Sequence, residues 1–167
     1  MSMYSTSVPV FIHVLTNLSA ILEIGEAYAR DRKIDEAVMT SLRLTADMFP
    51  LSRQVQIASD VAKGGGARLA GMESPGFEDN ETTFAELQSR IQRTIAFLEG
   101  LSADDFQGAE DRTIAFKAGP YELTFKGDAF LTRWALPNLY FHVTTAYNIL
   151  RDNGVQLGKM DYLGSVQ

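Results

Sequence analysis

Two polar residues near the carboxyl end of the sequence have the types and spacing that could support chemistry. His142 and Asn138 lie four residues apart, so in a helix they share a face, with Ala135 and Ala146 beside them. Small neighbours leave room for a pocket, in which an imidazole can bind a metal or act as a general base. A lone inward histidine is also commonly a core residue whose hydrogen bonds are satisfied locally. The sequence leaves both interpretations open.

A second set of polar residues follows one face of an earlier predicted helix. Gln56, Asp60 and Lys63 share this face with Arg53, opposite an apolar stripe. A solvated face with an Asp60–Lys63 or Asp60–Arg53 ion pair is one interpretation. In the other, Gln56 or Asp60 points into the same pocket as the histidine. The candidate pocket residues are therefore His142, Asn138, Asp60 and Gln56.

The composition excludes several classes of function. The chain has 167 residues, a formal net charge of −6 and no cysteine. An acidic chain with scattered Lys and Arg lacks the clustered basic surface that nucleic acid requires. The absence of cysteine excludes disulfides, thiolate ligands and a cysteine nucleophile. The sequence has no Gly-x-Ser-x-Gly turn and no pair of converging acids, so neither a hydrolase triad nor glycoside chemistry is indicated.

The sequence also gives expectations about location. No apolar run reaches the roughly 20 residues that a bilayer-spanning helix needs. The first residues, from Met1 to Ser7, lack the basic start and the apolar core of a secretion signal. We therefore expect a cytoplasmic protein with no membrane partner.

Four long helices are predicted to position the candidate residues. Apolar spacing places them from near Ser7, over residues 48–71, from a Thr83–Glu86 capping box to Gly100, and over residues 128–151. Pro9 and Pro50 fall in the first turns of the first two helices, and Pro137 marks a bend in the fourth. A short helix capped by Asp35 runs to Leu42, and the tail 155–167 is irregular. The chain is therefore predicted to be one domain, 1–167, mainly all-α, with a four-helix bundle.

Between the third and fourth helices the pattern changes to period two. Residues 113–117 and 122–126 alternate around Gly119-Pro120, which is typical of a β-hairpin. The side chains predicted on its covered face are Ile114, Phe116, Leu123 and Phe125. A β-hairpin inserted before the last long helix completes the predicted fold.

Three consecutive glycines, Gly64 to Gly66, fall inside the second predicted helix. Each costs roughly 1 kcal/mol relative to alanine in a helix interior. They mark a kink, a break, or the close approach of a neighbouring backbone, and the sequence leaves these three explanations open. No Gly-Lys-Ser/Thr follows, so they do not form a phosphate-binding loop.

The fourth helix is apolar around most of its circumference and carries a group of aromatic residues. They are Trp134, Tyr140, Phe141 and Tyr147. Packing is the commoner role of such a group, but the apolar excess also suits a contact with a second subunit. We therefore expect an isologous homodimer, in which the same face meets itself.

Five strings of residues carry a resemblance to a known family. They are Asp47–Leu51, Arg53–Ala58, Thr82–Leu87, Asn138–Tyr147 and Asn153–Lys159. From about Tyr4 to Gly164, the chain resembles an uncharacterised bacterial family within the DinB-like superfamily. The resemblance implies a four-helix bundle, often dimeric, with a pocket between the helices. In better-studied relatives this pocket holds a divalent metal, and some of those relatives are thiol-dependent transferases or isomerases.

The metal site that the resemblance implies is incomplete in this sequence. The superfamily pattern places one histidine on the second helix and two, four residues apart, on the fourth. His142 matches one of that pair, but Asn138 and Ala146 stand where a second would be, and the second helix offers only Gln56 and Asp60. An ion such as Zn²⁺, Ni²⁺ or Mn²⁺ would rely on His142 and Asp60, with weak neutral ligands beside them. Zinc sites usually have three strong protein ligands.

We therefore expect a bundle that binds an unidentified small molecule in an inter-helix pocket, with a degraded metal site and no cofactor. One alternative is an active metal- or thiol-dependent transferase or isomerase, with His142 as ligand or base and Asp60 as second ligand. Another is a structural or interaction module that uses the aromatic residues of the fourth helix. The enzyme interpretation requires His142 and Asp60 to converge on one cavity. The sequence identifies no substrate.

Overall fold

The computed structural model describes residues 2–165 and consists mainly of α-helices. The helices are α1 (Met3–Arg32), α2 (Glu36–Thr40), α3 (Leu51–Ala70), α4 (Phe84–Glu99), α5 (Gly127–Phe130), α6 (Leu136–Asp152) and α7 (Lys159–Leu163). A 3₁₀ turn, Ala103–Phe106, precedes an antiparallel hairpin of β1 (Thr113–Ala118) and β2 (Tyr121–Lys126). A π-helical turn, Leu131–Ala135, joins α5 to α6.

The long helices α1, α3, α4 and α6 enclose one apolar core. α1 packs against α3, α4 and α6, and α3 packs against α4 and α6. The core side chains with no exposed surface include Phe11, Leu15, Leu51, Phe84 and Leu139. Removal of this apolar surface from water is the main force that holds the helices together. The predicted architecture is confirmed: a mainly helical bundle with a hairpin before its last long helix.

The first helix differs from the sequence-based expectation. It begins at Met3, not near Ser7, because Ser2 and Ser5 form a reciprocal capping box at its amino end, and Pro9 therefore lies inside the helix. An 18-residue window of α1 has a mean hydropathy of 1.6, and 56% of that window is buried in this fold. By length and composition alone α1 could cross a membrane, contrary to the expectation above. A buried core helix meets the same two criteria.

Three other features of the helices differ from the sequence-based expectation. α3 begins at Leu51, not Met48, because Pro50 occupies the N-cap position with extended backbone. α2 ends at Thr40, two residues before the predicted end. The tail that was expected to be irregular contains the short helix α7. Residues 166–167 of that tail lie outside the described part of the chain.

The three glycines lie in an unbroken helix, and each allows a side chain to approach closely. A Cβ atom on Gly65 would lie 2.9 Å from the ring of Phe11, and one on Gly66 would lie 2.6 Å from Leu98. A Cβ atom on Gly64 would collide with the guanidinium of Arg68, one helical turn later. Of the three explanations left open by the sequence, close approach therefore applies, although the approaching groups are side chains.

Substitutions at two of these glycines should have different effects on stability. Gly65→Val should lower the free energy of unfolding by about 1–3 kcal/mol, because it overpacks the buried ring of Phe11. Gly64→Ala should leave it unchanged or raise it by up to about 1 kcal/mol, because alanine favours helix and only the flexible end of Arg68 must move. Urea unfolding followed by circular dichroism measures both. A loss of equal size at the two positions would contradict this packing.

The hairpin packs against the continuous helical segment 127–152, which comprises α5, the π-helical turn and α6 and is called the last helical segment below. In its register Ile114 lies opposite Phe125, and Phe116 lies opposite Leu123. All four side chains are at least partly buried, so the predicted covered face is confirmed. The ring centroid of Phe116 lies 5.5 Å from that of Trp134. This contact fixes the hairpin beside the start of the last long helix.

A π-helical turn lies where the sequence predicted a bend. The N–H of Leu136 donates to the carbonyl of Leu131, five residues earlier, and Pro137 follows in the first turn of α6. A proline cannot donate a backbone hydrogen bond, so a local change of helical register at this place is expected. Such single π turns are frequent at functional sites. Trp134 and Asn138 lie on either side of the change.

Candidate functional site

α3 and the last helical segment lie side by side and run in opposite directions. Gln54, in the first turn of α3, contacts His142 on α6. Gly65, later in α3, lies against Ala135, earlier in the other segment. The predicted candidates on these two helices are therefore placed along one antiparallel helix pair.

His142 forms a buried hydrogen bond with Gln54. The histidine is 9% exposed, and its Nδ1 lies 2.7 Å from Oε1 of Gln54. Nε2 of Gln54 donates to the carbonyl of Phe49 at 3.0 Å, so Oε1 is the atom left to accept from His142. The proton of the neutral imidazole therefore sits on Nδ1, and Nε2 keeps its lone pair. Nε2 has no hydrogen-bond partner within residues 2–165 and is accessible to solvent.

The surroundings of His142 oppose its protonation. Burial and the nearby charge of Arg53 lower the pKa of His142 from 6.5 to about 4. The imidazole is therefore neutral at pH 7 and can accept a hydrogen bond at Nε2. A general base works best with a pKa near the operating pH, so this environment does not favour proton abstraction by His142.

Asn138 has its own local partner. Its Nδ2 donates to the carbonyl of Trp134 at 3.1 Å, one turn earlier in the helix, and its side chain is half-buried. No hydrogen bond joins it to His142 within the described residues. The two polar residues on this face therefore have separate partners.

Asp60 belongs to a group of ion pairs around Arg90 on α4. The Arg90 side chain has no exposed surface, and its guanidinium lies 2.9 Å from Asp60, Asp79 and Glu81. Burial by itself would lower the pKa of Arg90, but the hydrogen bond to Glu81 and the three carboxylate charges raise it above its ordinary value. The Asp60 side chain is 40% exposed and is bound from two sides.

Two cations and one amide complete this group. Lys63 lies 3.1 Å from Asp60, and Arg53 pairs with Asp79. Gln56 is buried, donates to Glu81 at 3.0 Å and accepts from Arg53 at 3.2 Å. The Arg90 network is defined here as Arg53, Asp60, Lys63, Asp79, Glu81 and Arg90. Asp60 and Gln56 are thus held by this network, and among residues 2–165 neither forms a hydrogen bond with His142.

The residues present do not fit a three-ligand divalent metal site. Asp60 is bound to Arg90 and Lys63, whereas His142 is bound to Gln54, which offers only a neutral amide. Residues 2–165 contain no group of three or more His, Asp or Glu side chains arranged to hold an ion. Metal binding by His142 and Asp60 stays a prediction, and this geometry does not favour it.

An open groove runs along α3, beside the hairpin and the last helical segment. Its volume is about 360 Å³, and the residues that define it include Arg53, Ile57, Val61, Arg68, Phe116 and Trp134. We call it the α3–hairpin groove. A larger cavity of about 440 Å³ lies beside Phe106, but no cation lines it within the described residues. Asp60, one of the predicted candidates, lines the groove, and so does Arg53, whose charge influences His142.

Sequence reasoning missed the two buried residues that organise this region. Gln54 lies three residues after Leu51 and four before Ala58, within the apolar stripe of α3. Arg90 similarly falls three residues after Leu87, on the apolar face of α4. A polar side chain inside an apolar stripe was the available signal, because such a residue must find a buried partner.

The aromatic residues of the last helical segment divide between packing and surface. Trp134 is half-buried among the rings of the hairpin, and Tyr147 packs on Tyr162 with centroids 6.4 Å apart. Phe141 and Tyr140 stay 55% and 39% exposed. The exposed pair suits a contact with a second copy, and the homodimer stays a prediction.

Comparisons with known proteins agree with this architecture. Residues 3–163 match a family model described as a domain of unknown function, DUF1993. A crystal structure of a DinB family member protein from Shewanella denitrificans is 47% identical, with a TM-score of 0.88, over 98% of this chain and 92% of that one. A comparison with curated proteins gave no match. The chain belongs to the DUF1993 family and has a DinB-like fold, as the resemblance implied.

Proposed function

We propose that this protein binds a small organic molecule in the α3–hairpin groove, with no metal at the site. The observation that carries the proposal is an open cavity of about 360 Å³ that combines the rings of Phe116, Phe130 and Trp134 with charged side chains, among them Arg53 and Arg68. Sites for small molecules are concave and mostly apolar, with a few polar groups that fix orientation, and they measure about 300–1,000 Å³.

The aromatic wall of the groove is held in place before any ligand arrives. The ring centroids of Phe116 and Phe125 lie 5.5 and 6.2 Å from that of Trp134. Trp134 is only half-buried, so part of its ring stays open. A preorganised ring loses little freedom when a ligand packs against it, which supports binding at this wall.

A metal- or thiol-dependent transferase is the second candidate, and one observation favours it. Nε2 of His142 carries a lone pair and has no partner within the described residues. A metal there would need further strong ligands, and Asp60 is held by Arg90 and Lys63. The groove proposal requires no rearrangement of these ion pairs, and it is therefore the better supported of the two.

Fluorescence of Trp134 offers a direct test, because it is the only tryptophan in the chain. Titration of the full chain with a set of small aromatic acids, amines and neutral compounds should give a saturable change for at least one class. The change should persist when EDTA is added, since no metal takes part. Dependence on Zn²⁺, Ni²⁺ or Mn²⁺ would favour the second candidate.

Two matched variants locate the binding site. Val61→Phe fills the groove and should weaken binding by about tenfold or more. Val38→Phe makes the same change on α2, where Val38 is 52% exposed, and should leave binding unchanged. If no compound alters the fluorescence, or if both variants bind like the wild type, the groove is not the site.

A further inference from the structure

Arg68 is a partly buried cation that the ion pairs of this region leave without a partner among residues 2–165. The Arg90 network contains three carboxylates and three cations, so its charges balance internally. Arg68 lies outside it and has no ion pair or side-chain hydrogen bond within residues 2–165. Its guanidinium lies over the ring of Phe116, 4.7 Å from the centroid. Partial burial lowers the pKa of Arg68, which indicates that its charge is poorly solvated.

The helix makes a specific space for this side chain. The guanidinium lies in the space that a Cβ atom at position 64 would fill, so only glycine leaves that space free. A glycine in a helix interior is unfavourable relative to alanine, so helix stability does not account for Gly64. Gly65 and Gly66 are explained by the core residues that they contact, whereas Gly64 is explained by the placement of Arg68 alone.

Arg68 stands between two cavities. It lines the α3–hairpin groove and a neighbouring cavity of about 280 Å³, and Asp60 lines both. The charge of Asp60 is compensated by Lys63 and Arg90. The groove has two further cations: Arg53, which pairs with Asp79, and the exposed Lys117, with Glu122 opposite it in the hairpin register. The groove therefore presents a positive charge at Arg68 that no described carboxylate neutralises.

We infer that the ligand of the groove is an aromatic oxyanion, a carboxylate or a phosphate ester attached to a planar ring, whose charged group is bound by Arg68. The inference rests on the proposed function. A guanidinium offers parallel N–H donors that match two oxygens of a carboxylate or phosphate. Phe116 contacts both Arg68 and Trp134, so a molecule with a single ring is long enough to reach both.

The test compares charged and neutral compounds of the same shape. Trp134 fluorescence is titrated with benzoate, phenyl phosphate, neutral benzamide and inorganic phosphate at constant ionic strength. At least one of the two aromatic anions should bind about tenfold or more tightly than benzamide, because a charge-assisted hydrogen bond to Arg68 forms only with the anion. The tighter of the two distinguishes a carboxylate from a phosphate. Inorganic phosphate should bind more weakly than phenyl phosphate, because it lacks the ring.

Three variants assign the effect to Arg68. Arg68→Gln should reduce anion affinity to that of benzamide, a loss of about tenfold or more. Arg151→Gln removes the same charge from the exposed side of α6 and should change nothing. Gly64→Ala keeps the arginine but displaces its guanidinium, so it should weaken anion binding by roughly threefold to tenfold.

The outcomes separate this inference from the proposed function. If benzamide binds as tightly as both anions, or if Arg68→Gln keeps the preference for anions, the inference is wrong and the groove remains a binding site. The inference is also wrong, with the groove still a binding site, if the only compounds that bind are other members of the set of aromatic acids, amines and neutral compounds. If inorganic phosphate binds as tightly as phenyl phosphate, the aromatic part of the inference is wrong. If nothing tested changes the fluorescence, the proposed function fails and the inference falls with it.

Discussion

Replacing Arg90 with methionine should lower the free energy of unfolding by about 3–5 kcal/mol, as expected when one partner of a buried ion pair is removed. The arginine side chain has no exposed surface, and Glu81, one of its three carboxylate partners, has a side chain that is only 5% exposed. Methionine fills much of the same space, so the loss arises mainly from the carboxylate that is left buried without its cation. Urea unfolding of the wild type and of Arg90→Met measures the difference.

Two further variants test whether the loss of stability comes from the buried carboxylate. One removes a different arginine of α4, and the other removes the charge of Glu81. Arg93→Met removes an exposed cation that lies 4.3 Å from the ring centroid of Phe77, and it should cost less than about 1 kcal/mol. Adding Glu81→Gln to Arg90→Met should recover part of the loss, because it removes the uncompensated charge. If Arg90→Met costs no more than Arg93→Met, the Arg90 network does not stabilise the fold as described.

Lowering the pH from 7 to 4 should destabilise the wild type by about 3 kcal/mol more than a His142→Phe variant. In the folded state the pKa of His142 is about 4, whereas 6.5 is its ordinary value. Between these two values the unfolded chain binds a proton that the folded chain excludes. The contribution of His142 to stability is therefore complete above pH 6.5 and is lost as the pH falls to about 4.

The comparison with His142→Phe isolates this histidine from the rest of the chain. Other groups titrate in both proteins, so their contributions largely cancel in the difference. The variant leaves Oε1 of Gln54 without its donor at every pH, which offsets the whole curve without changing its slope. Free energies of unfolding from urea titrations at several pH values between 7 and 4 give the two curves. Parallel curves would contradict the buried, neutral state of His142.

Local signals in the sequence were enough to predict most of the fold. The capping box of Thr83 and Glu86 starts α4 as predicted, and the alternation around Gly119 gives the hairpin. α7 was missed because its position depends on residues far away in the sequence. Asn17 donates to the carbonyl of Tyr162, and His13 contacts that of Leu163. No local propensity reveals such contacts.

The candidate site was predicted less completely than the fold. The inward position of His142 is confirmed, because it follows from helical period alone. Its partner could not be predicted, because which residue of the α3 apolar face lies level with His142 depends on how the two helices are offset along their axes. Asp60 forms an ion pair with Arg90 and does not point toward His142. The burial of Arg90 depends on how α4 packs against α3, which the sequence does not show. The degraded metal site, the homodimer and the cytoplasmic location stay predictions.

The dependence of α1 on late elements has a consequence for synthesis. α1 packs against α4, α6 and α7, so it is made before the helices that cover it. Contacts between distant parts of a chain form late, because closing long loops costs entropy. Part of a segment with a mean hydropathy of 1.6 therefore stays uncovered until α7 has left the ribosome. We expect nascent chains to be prone to aggregation during this interval and to gain from chaperones that shield α1.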